Sequence, residues 1–262
     1  MRFFLLSLFI LTTICHEAHA QITGSKEMVE ISAGEALEWN QKDKQYTAKG
    51  SVEVKQGDVI INSDTLIADY REEGKNKGIE VYKITAIGNV VIKDSESIAV
   101  GDNAVYEVDS GLAVLTGGVL SVTTPTQKIT ASDKIEYNTV SGQAKAVGDA
   151  TITQGTDKLS AQTITADFVK DAQGKQSLNR TKAVGGVTVK TADETLTGNN
   201  GVYNAKTNLV EIQGNVKIVR GPNVLEGDRA QVNLLTNISK IYGSPETGKR
   251  VKGVFFPGSE KK

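Results

Sequence analysis

One short phrase recurs along this chain and constrains its fold more than any other feature. A small or apolar residue and a spacer lead into a glycine, and a second spacer leads into alternating apolar residues. It stands first as Ala48-Lys49-Gly50-Ser51-Val52-Glu53-Val54 and returns as Ala86-Ile87-Gly88-Asn89-Val90-Val91-Ile92. Later copies are Thr116-Gly117-Gly118-Val119-Leu120, Ala146-Val147-Gly148-Asp149-Ala150-Thr151-Ile152, Ala183-Val184-Gly185-Gly186-Val187-Thr188-Val189 and Ile212-Gln213-Gly214-Asn215-Val216-Lys217-Ile218. With Gly50, Gly88, Gly118, Gly148, Gly185 and Gly214 as markers, the steps are 38, 30, 30, 37 and 29 residues. A period in this range is the signature of an architecture assembled from repeats, each too small to bury its apolar face alone.

The residues after each glycine alternate strictly, as in Val52-Glu53-Val54-Lys55 and Val187-Thr188-Val189-Lys190. Period 2 means strand, with one face buried and the other wet. A second strand ending in an aromatic follows, as in Asp64 to Tyr70, Asp102 to Tyr106, Asp133 to Tyr137 and Gln162 to Phe168. The longer steps contain Arg71 to Lys83 and Val169 to Lys182, charged glycine-containing stretches that read as hairpin excursions. The fold class is therefore all-β. Two solutions suit the pattern: a right-handed parallel β-helix, and an elongated antiparallel β-jellyroll open at both ends. The excursions and the tyrosine-bearing strands favour the second. A membrane barrel is disfavoured, because its strands need about ten residues with an apolar outer face.

A longer period lies over the short one. Trp39 and Tyr137 are 98 residues apart, and Tyr106 and Tyr203, like Pro125 and Pro222, are 97 apart. This predicts a tandem duplication: a first unit over 21–125, a second over 126–222, and a partial repeat with a tail over 223–262. Residues 1–20 read as a cleaved export signal, with Arg2, an apolar run from Phe3 to Ile14, and Ala18-His19-Ala20 as the cleavage site. The single Cys (Cys15) and both His (His16 and His19) lie in that segment. The exported chain would then lack thiolate and imidazole, the usual means of nucleophilic catalysis and of zinc or copper binding. No carboxylate pair stands out. Catalytic residues, metal ligands and cofactors are accordingly expected to be none. Net charge is −1 and no basic stripe is visible along the sequence, which argues against nucleic acid.

Ala48 to Tyr70 (AKGSVEVKQGDVIINSDTLIADY) resembles the opening strands of the LptA/OstA family of periplasmic lipopolysaccharide-transport proteins. Val105 to Gly118 (VYEVDSGLAVLTGG) is similar to that family's central strand pair. Gly248-Lys249-Arg250-Val251, with the apolar stretch to Pro257, resembles its C-terminal strand, and Val29-Glu30-Ile31 its first. The resemblance implies a periplasmic carrier that shields the acyl chains of lipid A in an apolar β-groove. It would form part of a bridge from inner to outer membrane, with the transport components of both membranes and further copies of itself as partners. The extra internal unit departs from the family pattern.

The same resemblance places Tyr106 and Val108 on the strand whose inward side chains approach the lipid, and Val29, Ile31 and Ile92 at other inward positions. Alternation adds Val52, Val54, Val59 and Ile61, and duplication adds Tyr203. Asp64, Asp102 and Asp133 read as turn residues that satisfy local backbone groups. Trp39 reads as a cap on the first layer, and Phe255 and Phe256 read either as one seal at the open end or as the finish of the last strand. An exported β-helical surface protein, or one acting on carbohydrate, is the alternative reading.

Overall fold

The computed structural model describes residues 28–72, 78–172, 174, 176–236, 238–244 and 248–256. The export signal expected over 1–20 lies outside these, as does Pro257. The regular structure among the described residues is β throughout. The first unit begins with β1 (Glu30–Ser32), β2 (Ala36–Asn40), β3 (Gln45–Gln56), β4 (Val59–Glu72), β5 (Ile79–Lys93) and β6 (Ile98–Glu107). There follow β7 (Leu112–Thr116), β8 (Leu120–Thr123), β9 (Lys128–Ala131), β10 (Lys134–Asn138), β11 (Gln143–Gln154) and β12 (Asp157–Lys170). The chain continues through β13 (Gln176–Lys190), β14 (Glu194–Asn204), β15 (Leu209–Arg220), β16 (Asn223–Asn233), β17 (Ile238–Tyr242) and β18 (Lys252–Val254). They join in one 18-stranded sheet. Every pairing between them is antiparallel, which rules out the parallel β-helix. The chain runs up and down a meander.

The recurring glycines are where this sheet folds. Pairs of consecutive residues with left-handed φ occur at Gly50-Ser51, Gly88-Asn89, Gly117-Gly118, Gly148-Asp149, Gly185-Gly186 and Gly214-Asn215. At five of them the ladder skips, for instance between Lys49 and Val52 and between Val184 and Val187. The sixth separates β7 from β8. The third corner therefore starts at Gly117, one residue before the glycine that the phrase picks out. Only glycine adopts such φ values freely, and Asn and Asp tolerate them best among the others. Room is also short: a Cβ at Gly88 would lie 2.2 Å from Asp64 Oδ2, and one at Gly50 would lie 2.4 Å from Glu35 Cγ. Asp102 and Asp133 likewise cover the corners at Gly117 and Gly148. Asn89 Nδ2 donates to Asp64 Oδ2 at 2.9 Å. These acids thus pack over the next strand's corner, a longer-range role than a local turn.

Folding along the corner line produces two facing half-sheets. Half-sheet I contains β2, β7, β10, β17 and the segments of the long strands that pair with them. Half-sheet II contains β1, β8, β9, β18 and the remaining segments. The residue two places beyond the first glycine of a corner drops between them at Val52, Val90, Ala150, Val187 and Val216, and at the third corner it is Leu120, three places beyond Gly117, that does so. The core forms two clusters, one around β3 to β8 and one around β9 to β16, and Ile135 packs against both. The two excursions prove to be extensions of paired strands. β4 and β5 stay paired to Glu72 and Ile79, and β12 and β13 to Lys170 and Gln176, each pair passing a bulge, after Asp69 and after Asp167.

Candidate functional site

Cross-strand register turns scattered apolar residues into continuous rows. On the inner face of half-sheet II, Ile31 is opposite Val54, Val54 opposite Ile61, and Ile61 opposite Ile92. The row goes on through Ala99, Val122, Ile129, Ile152, Leu159, Val189, Leu196, Ile218 and Leu225. It contains no polar side chain. The facing row on half-sheet I mixes alanines with larger aliphatics as it passes Ala48, Leu66, Ala86, Ala104, Leu115, Ile135, Ala146, Ile164 and Ala183. Beside it, nearer the strand ends, runs a row with Trp39, Tyr46, Tyr106, Tyr137 and Tyr203 at intervals. The two half-sheets thus form an apolar groove with an aromatic rim on one side.

Four of the sequence-predicted residues, Ile31, Val54, Ile61 and Ile92, are consecutive members of one row. Val52, Val54, Val59 and Ile61 are buried, and Ile31 and Ile92 are half-buried against the first cluster. Tyr106 is half-buried against that cluster between Ile84 and Ala113, while Glu107 next to it is exposed. Tyr203 belongs to the second cluster; its hydroxyl donates to Asn208 Oδ1 at 3.2 Å, and burial raises its pKa above the ordinary phenol value. Two residues sit apart. Val29 precedes β1 and is 44% exposed. Val108 lies in the turn after β6, half-buried, its N–H donating to the Tyr82 carbonyl at 2.9 Å.

Sequence reasoning did not anticipate the aromatic group at the N-terminal end. Trp39 stacks on Tyr46 with ring centroids 5.7 Å apart, and Tyr46 meets Tyr70 at 5.1 Å. Trp39 Nε1 donates to Tyr70 Oη at 2.8 Å. Pairing of β2 with β3, together with β3 with β4, brings the three rings together, and spacing along one strand carries no trace of this.

Side chains of the groove pack against one another over much of its length, with Val54, Ile61, Ile152, Leu159, Val189 and Leu196 buried. One small cavity of about 40 Å³ lies between Leu159, Val189, Ala183, Gly201, Tyr203 and Ile212. That is room for a few waters, at about 10–15 Å³ each. At that point an alkyl chain needs the half-sheets to separate or the side chains to repack. The half-sheets are joined along the corner line, so the mouth of the groove lies on the side of the hairpin ends.

The family LptA/(LptD N-terminal domain) LPS transport protein matches this chain twice, over residues 30–143 and 128–238. The chain belongs to that family. Among solved structures it is similar to LptH of Pseudomonas aeruginosa, described as the LptA-homologous periplasmic component of the conserved lipopolysaccharide transport device. Identity is 21%, the TM-score is 0.41, and the match covers 50% of this chain and 95% of that one. No curated protein matches the chain.

Polar groups of this family member cluster at the strand ends of half-sheet I. Arg71 Nε donates to Glu80 at 2.9 Å and its Nη1 to Asp109 at 2.8 Å. The hydrogen bond from Arg71 lowers the Asp109 pKa, and those to Glu80 and Asp109 raise that of Arg71. In the second unit, Asp167 accepts from Gln143 at 2.8 Å and from Arg180 at 2.9 Å. Burial pushes its carboxyl up, but those two donors outweigh it and the pKa lies below the ordinary carboxylate value. Arg71, Glu80 and Asp109 are thus engaged with one another in the first unit, and Gln143, Asp167 and Arg180 in the second.

Proposed function

We propose that this chain is a periplasmic lipopolysaccharide carrier that shelters lipid A acyl chains between its half-sheets and hands them along a bridge from inner to outer membrane. The observation that carries this reading is the uninterrupted apolar row from Ile31 to Leu225 in a member of a lipopolysaccharide-transport family. Transfer from water into such a groove favours the bound state by roughly 0.8 kcal/mol per buried CH₂. That gain is set against the work of parting two packed half-sheets, so binding is expected to open the molecule. Ile31, Val52, Val54, Val59, Ile61, Ile92, Tyr106 and Tyr203 contact the lipid in this reading, and Val29 and Val108 flank it near the strand ends.

The chain carries two family units in tandem, over 21–125 and 126–222, with a partial repeat over 223–262. Recurrence of the corners supports this division, as do the two family matches, each of which runs past its unit into the next strands. The ends of the meander join to further copies or to the membrane components. Met28, Leu37 and Trp39 are exposed at one end, and Val251, Val254, Phe255 and Phe256 at the other. Open strand edges of this kind accept another strand by β-augmentation.

Photocrosslinking in living cells tests the cargo. A photoreactive residue at Tyr106 should yield a lipopolysaccharide adduct, and one at the exposed neighbour Glu107 should not. Absence of an adduct at both Tyr106 and Tyr203 in folded, exported protein would sink the carrier reading.

A further inference from the structure

The outer face of half-sheet II carries a feature that spacing along the chain conceals. Its outermost row, next to the groove mouth, starts at Glu30 and Lys55 and passes through Ile60 to Lys93. It then runs through Ile98 and Thr123 to Lys128, and through Thr153 to Lys158 and Lys190. These lysines are 30 to 38 residues apart in sequence, yet the register aligns them on one lip. From Lys93 to Lys190 the row crosses six strand intervals, about 29 Å at the usual strand spacing. No carboxylate interrupts it over that distance.

Three observations single this row out. The corresponding row on half-sheet I is mixed: Asp69, Lys83, Glu107, Asp167 and Arg180 carry both signs. Lys55 is paired with Glu53, but among the described residues Lys93, Lys128, Lys158 and Lys190 form no ion pair. Neighbouring acids are already engaged: Asp94 accepts from the Glu96 and Ser97 backbone and Glu194 from Arg220. Finally, Lys158 and Lys190 are direct cross-strand partners. Like charges placed opposite one another destabilise a sheet, and among the described residues no ion pair offsets these two.

We infer that Lys93, Lys128, Lys158 and Lys190 form a track for the phosphate groups of the carried lipid. This deepens the carrier reading and rests on it. Acyl chains between the half-sheets bring their head group out at the mouth, and the lip of half-sheet II meets it with positive charge. The lip of half-sheet I offers no such preference, so the head group leans to one side and the lipid is held in a defined orientation. Exposed ammonium groups bind phosphate loosely and reversibly, which suits a cargo that must move on from site to site.

The test compares purified lipid A with the same lipid after phosphate removal, both titrated into the exported chain at low and high salt. The variant is K93Q/K128Q/K158Q/K190Q, whose four sites are exposed and whose thermal stability should equal or exceed that of the parent. The parent is expected to prefer the phosphorylated lipid on the order of ten-fold at low salt, as four weak exposed contacts allow. The variant should lose both that preference and its salt dependence while binding the dephosphorylated lipid as before. Equal binding of both lipids by the parent, or an undiminished preference in the variant, overturns the track and leaves the carrier reading intact. Loss of affinity in the variant for vesicles of anionic phospholipid alone would also overturn it, marking the lip as a membrane contact. Failure of the parent to bind either form of lipid A sinks the carrier reading itself.

Discussion

At Gly88 a methyl group has nowhere to go. The residue has φ +78, and the added Cβ would meet Asp64 at 2.2 Å. Gly186 also has a left-handed φ, +63, but no atom lies within 4 Å of its Cβ position. Substitution by Ala separates the two costs. Gly186→Ala should cost about 1–2 kcal/mol for the conformation alone, and Gly88→Ala about 3 kcal/mol or more once the clash is added. Urea denaturation of the two variants checks the order; equal losses would mean that the corner yields easily. The other residues that anchor the fold are legible in the chain because they follow the corner by a fixed step. Val52 was among the expected inward residues, and Val90, Val187 and Val216 occupy the same place in later copies of the phrase.

The strand pairs that extend beyond the groove are held differently in the two units. In β12 and β13, Asp167 keeps its pKa below the ordinary value because Gln143 and Arg180 donate to it, against the upward push of burial. A lowered folded pKa means stability that is present above the unfolded value, near 3.9, and lost as pH falls through the folded one. Asp167→Asn should therefore destabilise near neutral pH by roughly 0.2–1 kcal/mol, given that the pair is largely solvated. The difference from the parent should vanish at acid pH, once Asp167 is protonated in the folded state as well. Chemical denaturation at both pH values measures it, and a difference independent of pH would contradict the ion-pair account. That strands β4–β5 and β12–β13 lengthen was readable from their charged, glycine-containing sequences. Which partners their charges find was not, since Arg71 and Asp109 meet only through two intervening strand pairings.

For the whole molecule, the packed groove makes a mechanical demand. Spin labels at Glu107 on half-sheet I and Lys128 on half-sheet II should move apart when lipid A is added. The expected increase is about 4 Å, one further layer of carbon at van der Waals distance. An unchanged distance with bound lipid would place the acyl chains outside the groove. Assembly through the ends makes a second demand. The pair V251E/F255E puts charge on exposed apolar positions at the C-terminal edge, where the fold has little to lose. Sedimentation should show reduced self-association with an unaltered melting temperature; unchanged association would move the joint elsewhere.

What the sequence alone determined is the strand character, the phase of each strand and the position of the bends. These depend on local stereochemistry: alternation selects the pleat, and a left-handed corner next to a crowding side chain demands glycine. The inward set Ile31, Val54, Ile61 and Ile92 followed from the same parity and from family resemblance. Only the tertiary structure decided which residues become neighbours across strands. The chain carries net charge −1 and its lysines are widely scattered, so the sequence suggests no basic stripe. Pairing brings Lys93, Lys128, Lys158 and Lys190 onto one lip. The physical reason is that cross-strand register is set by where each bend and each hairpin falls. Those positions convert separations of some thirty residues into a few strand widths.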